Sequence, residues 1–209
     1  MTGKERCIVL LSGGLDSSVL AYWVRDRVYE VYALTCRYGQ TATKEVECAI
    51  HIAEGLGAPM KVIDLSSLQE IFTGFASPSH VTIPSPSRFR LIFLSTAVTY
   101  ACAIDAQRVY YGAQGSDPRL YHVWRRDFYE SFQTAARLAT GQHIRIEAPF
   151  SKTSKSTMVE LGLRLGVPFE LTWSCYLNGM KHCGTCQSCL DRKKAFNEAN
   201  VPDPTEYVK

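Results

Sequence analysis

The spacing of apolar residues along the chain alternates between two rhythms. Cys7-Ile8-Val9-Leu10-Leu11 is an unbroken apolar run of strand length, as expected of a strand buried on both faces. After a polar, glycine-bearing turn, Val19-Leu20-Ala21-Tyr22-Trp23-Val24 has the density of a helix packed on a sheet. A second strand is expected over Glu30 to Cys36. From about Thr43 to Leu56 the residues Val46, Ala49, Ile52, Ala53 and Leu56 recur at helical spacing, and Gly57 is placed to stop that helix.

The rhythm continues with a third strand from Met60 to Leu65 and then breaks. The stretch from Ser66 to Arg88 carries Pro78, Pro84 and Pro86 among many serines and reads as a long functional or lid-like loop. An alanine-rich helix follows from Leu91 to Ile104, and a fourth strand from Arg108 to Gly112. Phe128, Phe132, Ala135, Ala136 and Leu138 mark the next helix, ended near Gly141. A fifth strand is expected from Ile144 to Pro149. Met158, Leu161, Leu163 and Leu165 belong to a helix closed by Gly166 and Pro168. Such alternation predicts an α/β fold with a doubly wound, parallel, five-stranded sheet. Ligands of such sheets bind at the carboxyl ends of the strands. Four polar clusters fall there: Ser12 to Ser17, Tyr38 to Gln40, Gln114 to Asp117, and Lys152 to Lys155.

Length and composition narrow the class. With 209 residues, 46% hydrophobic and 21% charged, the chain suits one domain with a small appendage. The expected division is 1–169 for the sheet domain and 170–209 for a segment packed on it. A formal charge of +3 accommodates an anionic substrate and gives no strong nucleic-acid signal. No apolar run reaches the roughly 20 residues that span a bilayer, and the opening residues lack a secretory pattern. Of eight cysteines, Cys7, Cys36, Cys48 and Cys102 are scattered in apolar segments, whereas four cluster near the end. That usage suits a reduced cytoplasmic protein with one metal site.

The chemistry concentrates first in Leu11-Ser12-Gly13-Gly14-Leu15-Asp16-Ser17-Ser18. A strand, a glycine turn and a helix start present free N–H groups and a positive helix end to an anion. Gly13 and Gly14 permit close approach of phosphate, and Ser12, Ser17 and Ser18 add hydroxyls. Asp16 is suited to a phosphate-borne Mg²⁺. The spacing matches neither the Gly-Lys-Ser/Thr loop nor the three-glycine dinucleotide fingerprint. It resembles the pyrophosphatase loop of ATP-dependent adenylating enzymes, with Leu11 through Ser18, Tyr38 and Gln40 as candidate ATP contacts. The alternative is an ordinary strand-to-helix turn with a Ser or Asp cap.

The second centre is Cys175 with Cys183, Cys186 and Cys189. Four thiolates close a tetrahedron around Zn²⁺ and leave no open position, so the site reads as structural. An iron–sulfur cluster takes four cysteines as well. A redox pair lacks its thioredoxin-like setting here. His182, beside the cluster, is expected at the surface.

Together these motifs resemble the 7-cyano-7-deazaguanine synthase family over most of the chain. The shared residues include the Ser12 to Ser17 loop, Tyr38-Gly39-Gln40 with Glu45, and Phe93-Leu94-Ser95. Further on they include Gly112, Gln114, Asp117, Tyr121 and Arg125, then Pro149 with Lys152 and Lys155. The segment from Leu161 to Tyr176 and the knuckle from Cys183 to Cys189 complete the match. The resemblance implies an adenine-nucleotide α-hydrolase type of sheet and a homodimer. It also implies adenylation of 7-carboxy-7-deazaguanine by ATP, displacement of AMP by ammonia, and a second ATP-dependent dehydration to the nitrile, a precursor of queuosine-type nucleosides. Catalytic roles fall to Asp16, Ser17, Lys155 and Lys152, and substrate contacts to Arg88, Arg90, Gln114, Asp117, Tyr121, Trp124 and Arg125.

Three departures from the family pattern stand out. No Asn follows Arg88 in Pro86-Ser87-Arg88-Phe89-Arg90. Thr41-Ala42 replaces the His after Tyr-Gly-Gln. Tyr121-His122-Val123-Trp124-Arg125 stands where the family has Tyr-Pro-Asp-Cys-Arg, losing a carboxylate at Val123. They motivate an alternative acceptor, a protein or other amine, with the product left as an amide. A non-enzymatic, zinc-containing nucleic-acid module is the alternative from another class.

Overall fold

The computed structural model describes residues 5–27, 29–40, 42–68, 86–113 and 126–208, the side chains of 86–89 and 126 excepted. Five strands form its sheet: β1 (Glu5–Leu10), β2 (Tyr29–Arg37), β3 (Met60–Asp64), β4 (Arg108–Tyr111) and β5 (Arg145–Glu147). Every pairing is parallel and the order is β3-β2-β1-β4-β5. The order reverses direction on either side of β1, which makes the ends of β1 and β4 a topological switch point. Leu10 pairs with Leu34 on one side and Tyr111 on the other. The chain therefore leaves three central strands at one level, and their loops meet.

Alternation along β1 serves two cores. Cys7 and Val9 point to one face, where α1 (Leu15–Arg25), α2 (Lys44–Leu56), α5 (Lys155–Leu165) and α6 (Gln187–Glu198) pack. Ile8 and Leu10 point to the other, covered by α3 (Pro86–Ala103) and α4 (Arg126–Thr140). Burial of both faces explains the unbroken apolar run. Three of the described helices stop at left-handed glycines, α2 at Gly57 (φ 64°), α4 at Gly141 (φ 72°) and α5 at Gly166 (φ 72°). No helix among the described residues is long and apolar enough to cross a membrane.

One boundary differs from expectation. The helix α3 begins at Pro86, inside the stretch read as loop up to Arg88. Pro86 occupies its first position, where the missing N–H has no intrahelical partner to lose and the fixed φ suits the helix. The remainder of the expected loop, 69–85, lies outside the described residues.

Residues after α5 are bound back onto the sheet domain. Trp173 donates its backbone N–H to the Gly13 carbonyl at 2.9 Å. The guanidinium of Arg192, fully buried, donates to both Asp203 carboxylate oxygens (3.1 and 3.3 Å), to Thr172 Oγ1 (2.7 Å) and to the Phe169 carbonyl (3.0 Å). A buried cation so fully hydrogen-bonded fixes the geometry of the tail.

Candidate active site and metal centre

The loop between β1 and α1 is shaped by its neighbours. Gly13 has φ +80°, and a Cβ there would lie 2.1 Å from the Glu45 carbonyl and 2.7 Å from the Ala49 nitrogen. Only glycine fits under α2 in that conformation. Gly14 precedes α1 with extended backbone, and no side chain caps the helix. Ser17 Oγ lies 2.9 Å from Ser12 Oγ and accepts the Ser12 N–H at 3.1 Å, closing the turn. Ser18 is fully buried and donates its hydroxyl to the Gly14 carbonyl at 2.8 Å, so its side chain braces the loop from behind. Leu15 is likewise a core residue.

Packing of α1 against α5 brings Lys155 Nζ to 3.5 Å from Asp16 Oδ2. Both side chains keep about a quarter of their surface exposed. The Asp16 Oδ1 atom is buried without a hydrogen-bond partner. Lys155 is the first residue of its helix, where a cation meets the positive end of the dipole. The Ser154 hydroxyl caps that helix by accepting the Thr157 N–H at 3.1 Å. Lys152 is exposed and has no ion pair among the described residues.

Above these strand ends lies a cavity of about 240 Å³. Leu11, Ser12 and Ser17 line one side, the β2 end with Thr35, Cys36, Tyr38 and Gln40 another, and Arg90, Phe93, Tyr111 and Gly112 the rest. The Gln40 side chain accepts the Tyr38 N–H at 2.9 Å, which folds the loop after β2 over the cavity. The Tyr38 ring rests against Phe93 with centroids 5.2 Å apart. Gly112 lies so near Ser17 that an added Cβ would come within 3.2 Å of its Cα.

Glu45, in the first turn of α2, is also part of the wall. Burial raises its carboxyl to about 7, since water no longer solvates the charged form fully. Burial likewise pushes the Tyr38 phenol upward, and the nearby Glu45 carboxylate adds to the effect.

Sequence patterns therefore locate the loop, Tyr38, Gln40, Arg90 and Lys155 at one place. The Arg88 side chain and Gln114, Asp117, Tyr121, Trp124 and Arg125 lie outside the described residues, as does Val123. Cys36 and Tyr111 enter the cavity wall unannounced, although their positions at strand ends carried the signal, and Phe93, quoted only within the family pattern, joins them from the facing helix.

The four thiols of Cys175, Cys183, Cys186 and Cys189 lie within 4.8 Å of one another. Sulfurs bound at ~2.3 Å in a tetrahedron are ~3.8 Å apart, and Cys183 Sγ and Cys189 Sγ stand at 3.9 Å. The set therefore fits a single tetrahedral ion. The backbone amides of Thr185 and Cys186 lower the Cys183 thiol to about 6, toward the thiolate that a metal needs. Cys175 Sγ accepts the N–H groups of Leu177 and Cys183, both at 3.4 Å.

His182 corrects the expectation of a surface residue. It is 5% exposed, its ring centroid is 4.1 Å from that of Trp173, and its Nε2 accepts the Ser174 N–H at 3.0 Å. Burial lowers its basicity to about 4, so the ring is neutral and free to accept. Its ring rests against Trp173, which packs with Cys175 and Cys189.

Comparison with known proteins finds relatives over nearly the whole chain. The profile of a family described as queuosine biosynthesis protein QueC matches residues 6–200. A 7-cyano-7-deazaguanine synthase from Caldicellulosiruptor saccharolyticus is 36% identical over 215 residues, covering 97% of this chain and 95% of the relative. One from Archaeoglobus fulgidus is 38% identical over 213 residues, covering 95% and 89%. Among solved structures, NMN synthetase from Francisella tularensis is similar with a TM-score of 0.56 and 17% identity, covering 95% of this chain and 85% of that one. The U34-tRNA thiolase NcsA from Methanococcus maripaludis, with its 4Fe-4S cluster, has a TM-score of 0.57 at 15% identity, covering 96% and 66%. At these identities the structural likeness is one of fold.

Proposed function

Because the chain belongs to the family of queuosine biosynthesis protein QueC, we propose that it is an ATP-dependent C–N ligase that converts 7-carboxy-7-deazaguanine, ammonia and ATP into the nitrile. The observation that carries this reading is the cavity at the switch point, with the glycine loop on one wall and the Lys155–Asp16 pair beside it. An oxygen of the substrate carboxylate attacks the α-phosphorus, pyrophosphate leaves, and ammonia then displaces AMP. The second ATP drives dehydration of the amide. Catalysis of the first step is largely positioning and charge neutralisation.

In this reading the N–H groups at Gly13 and Gly14 and the start of α1 hold the departing pyrophosphate. Ser12 and Ser17 add hydroxyl contacts, and Lys155, assisted by Lys152, neutralises the leaving group. Tyr38 and Gln40 border the nucleotide. The orphaned Asp16 Oδ1 suits a hard cation, so Asp16 would hold Mg²⁺, which supplies charge neutralisation at the phosphates. Arg88, Arg90, Gln114, Asp117, Tyr121, Trp124 and Arg125 would face the deazaguanine carboxylate. Residues 1–169 form the nucleotide domain and 170–209 the clamped tail. The compact thiol set suits Zn²⁺, because a four-iron cluster distributes its thiolates over separate irons and holds them farther apart. A cytoplasmic homodimer completes the reading.

The test is product analysis. Mass spectrometry of the purified protein with ATP, ammonium and 7-carboxy-7-deazaguanine should show the nitrile with AMP and pyrophosphate. Accumulation of the amide alone would refute nitrile synthesis. No carboxylate-dependent AMP at all would refute the ligase.

A further inference from the structure

A carboxyl group in a phosphate-binding cavity is electrostatically out of place unless something positive or acidic meets it there. Glu45 is that group. Its backbone carbonyl presses on the position of Gly13, and its side chain lines the same cavity as Ser12 and Ser17. Among the described residues no hydrogen bond or ion pair engages its carboxylate. Its charge is felt by the Tyr38 phenol just after β2 and by the Cys48 thiol one turn along α2, and the same cavity is lined by Cys36 of β2, Arg90 of α3 and Tyr111 of β4. The ion pairs of Asp16 and of Lys181 show where this tail and loop satisfy their charges. Glu45 has no such structural use.

The proposed reaction brings one co-substrate that suits this group. Ammonia is mostly ammonium near neutral pH, and after adding to an acyl carbon its nitrogen must lose a proton. We propose that Glu45 is the general base of the amide-forming step, receiving the proton from the attacking ammonia; this inference rests on the ligase reading above. Ammonia adds to the carbonyl carbon of the acyl-adenylate, forming the C–N bond. One N–H proton passes to a Glu45 carboxylate oxygen. The C–O bond to AMP breaks, AMP leaves with the bonding pair, and Glu45 returns its proton to water. The balance is acyl-adenylate plus ammonia to amide, AMP and a proton, with no oxidant or reductant. A carboxyl whose proton affinity is raised by its surroundings is suited to this task, since general bases work best near the operating pH.

Glu45→Gln keeps the size and removes the base. Two rates are compared at saturating ammonium: carboxylate-dependent exchange of labelled pyrophosphate into ATP, which reads adenylation, and amide formation. The ratio of amide formation to exchange should fall about a hundredfold. Hydroxylamine, whose adduct gives up its proton readily to water, should recover most of that loss, and Glu45→Asp should lie between. An unchanged ratio overturns the inference, and so does a parallel loss of both rates, which would make Glu45 part of the nucleotide site. A raised KM for the deazaguanine carboxylate with the ratio preserved would assign Glu45 to base recognition and overturn it too. Should Glu45→Gln fail to fold by its melting curve, Glu45→Asp decides: a ratio equal to wild type overturns the inference. Wild-type protein that shows no exchange sinks the ligase reading itself.

Discussion

Substituting Gly13 by alanine asks how closely α2 is pressed onto the β1–α1 loop. Two costs arise. The φ of +80° places an L-residue in the left-handed region, worth about 1–2 kcal/mol. The new methyl would stand 2.1 Å from the Glu45 carbonyl oxygen and 2.7 Å from the Ala49 nitrogen. Both are backbone atoms, so no side chain can swing away. The helix would have to retreat by roughly 1 Å, and Ala49, Ile52 and Ala53 anchor it in the core; overpacking of that kind costs about 1–3 kcal/mol.

Gly57 supplies the control. Its φ is +64°, and an added Cβ would meet nothing within 4 Å. Gly57→Ala should therefore show the conformational cost alone, about 1 kcal/mol, or ~2–4 °C in Tm for a chain of this size. Gly13→Ala should lose roughly 10 °C and should reduce pyrophosphate exchange about a hundredfold, because the N–H groups proposed to hold pyrophosphate move with the loop. Differential scanning calorimetry and the exchange assay measure the two effects. A Gly13→Ala protein as stable as Gly57→Ala, with normal exchange, would refute the argument that α2 sets the loop's shape.

Three further outcomes are expected. Lys155→Ala should lower exchange by about a hundredfold while changing Tm little, since its pair with Asp16 is partly exposed. Cys186→Ser should reduce zinc, measured by plasma mass spectrometry, from one equivalent per chain and lower Tm by on the order of 10 °C; full metal content with an unchanged Tm would contradict the four-thiolate site. For pH, a carboxyl raised from 4.5 to about 7 in the folded protein favours folding below pH 4.5, and that contribution is lost as pH rises through about 7. The Tm of Glu45→Gln should therefore gain on wild type between pH 5 and pH 8, with Tyr38 and Cys48 nearby and Cys36, Arg90 and Tyr111 in the same cavity wall for both forms. A constant gap in Tm would contradict the raised carboxyl.

What could be read in advance divides by range of contact. The glycine loop was legible because strand, turn and helix start are adjacent in sequence, and the Cys183 to Cys189 knuckle for the same reason. The sheet's five strands and parallel pairing followed from periodicity, which is local as well. The start of α3 was obscured by Pro86, a residue that breaks a helix interior and is welcome at its first turn. His182 read as a surface residue because nothing beside it announced Trp173 and Tyr207, which flank its ring. Arg192 sits in a polar helix, and only the return of the tail with Asp203 buries it. Glu45 looked like an ordinary first-turn acid and was quoted only within the family pattern; its place in the cavity depends on how α2 meets the loop.

The hydrogen bond from Trp173 to Gly13 has a temporal consequence. Its acceptor is synthesised before its donor, which follows about 10–30 s afterwards at ribosomal rates of 5–20 residues per second. Throughout that interval a nascent chain can assemble β1 and β2 and still lack one anchor of the β1–α1 loop. The shape of the β1–α1 loop is thereby completed only once the chain has been made through Trp173.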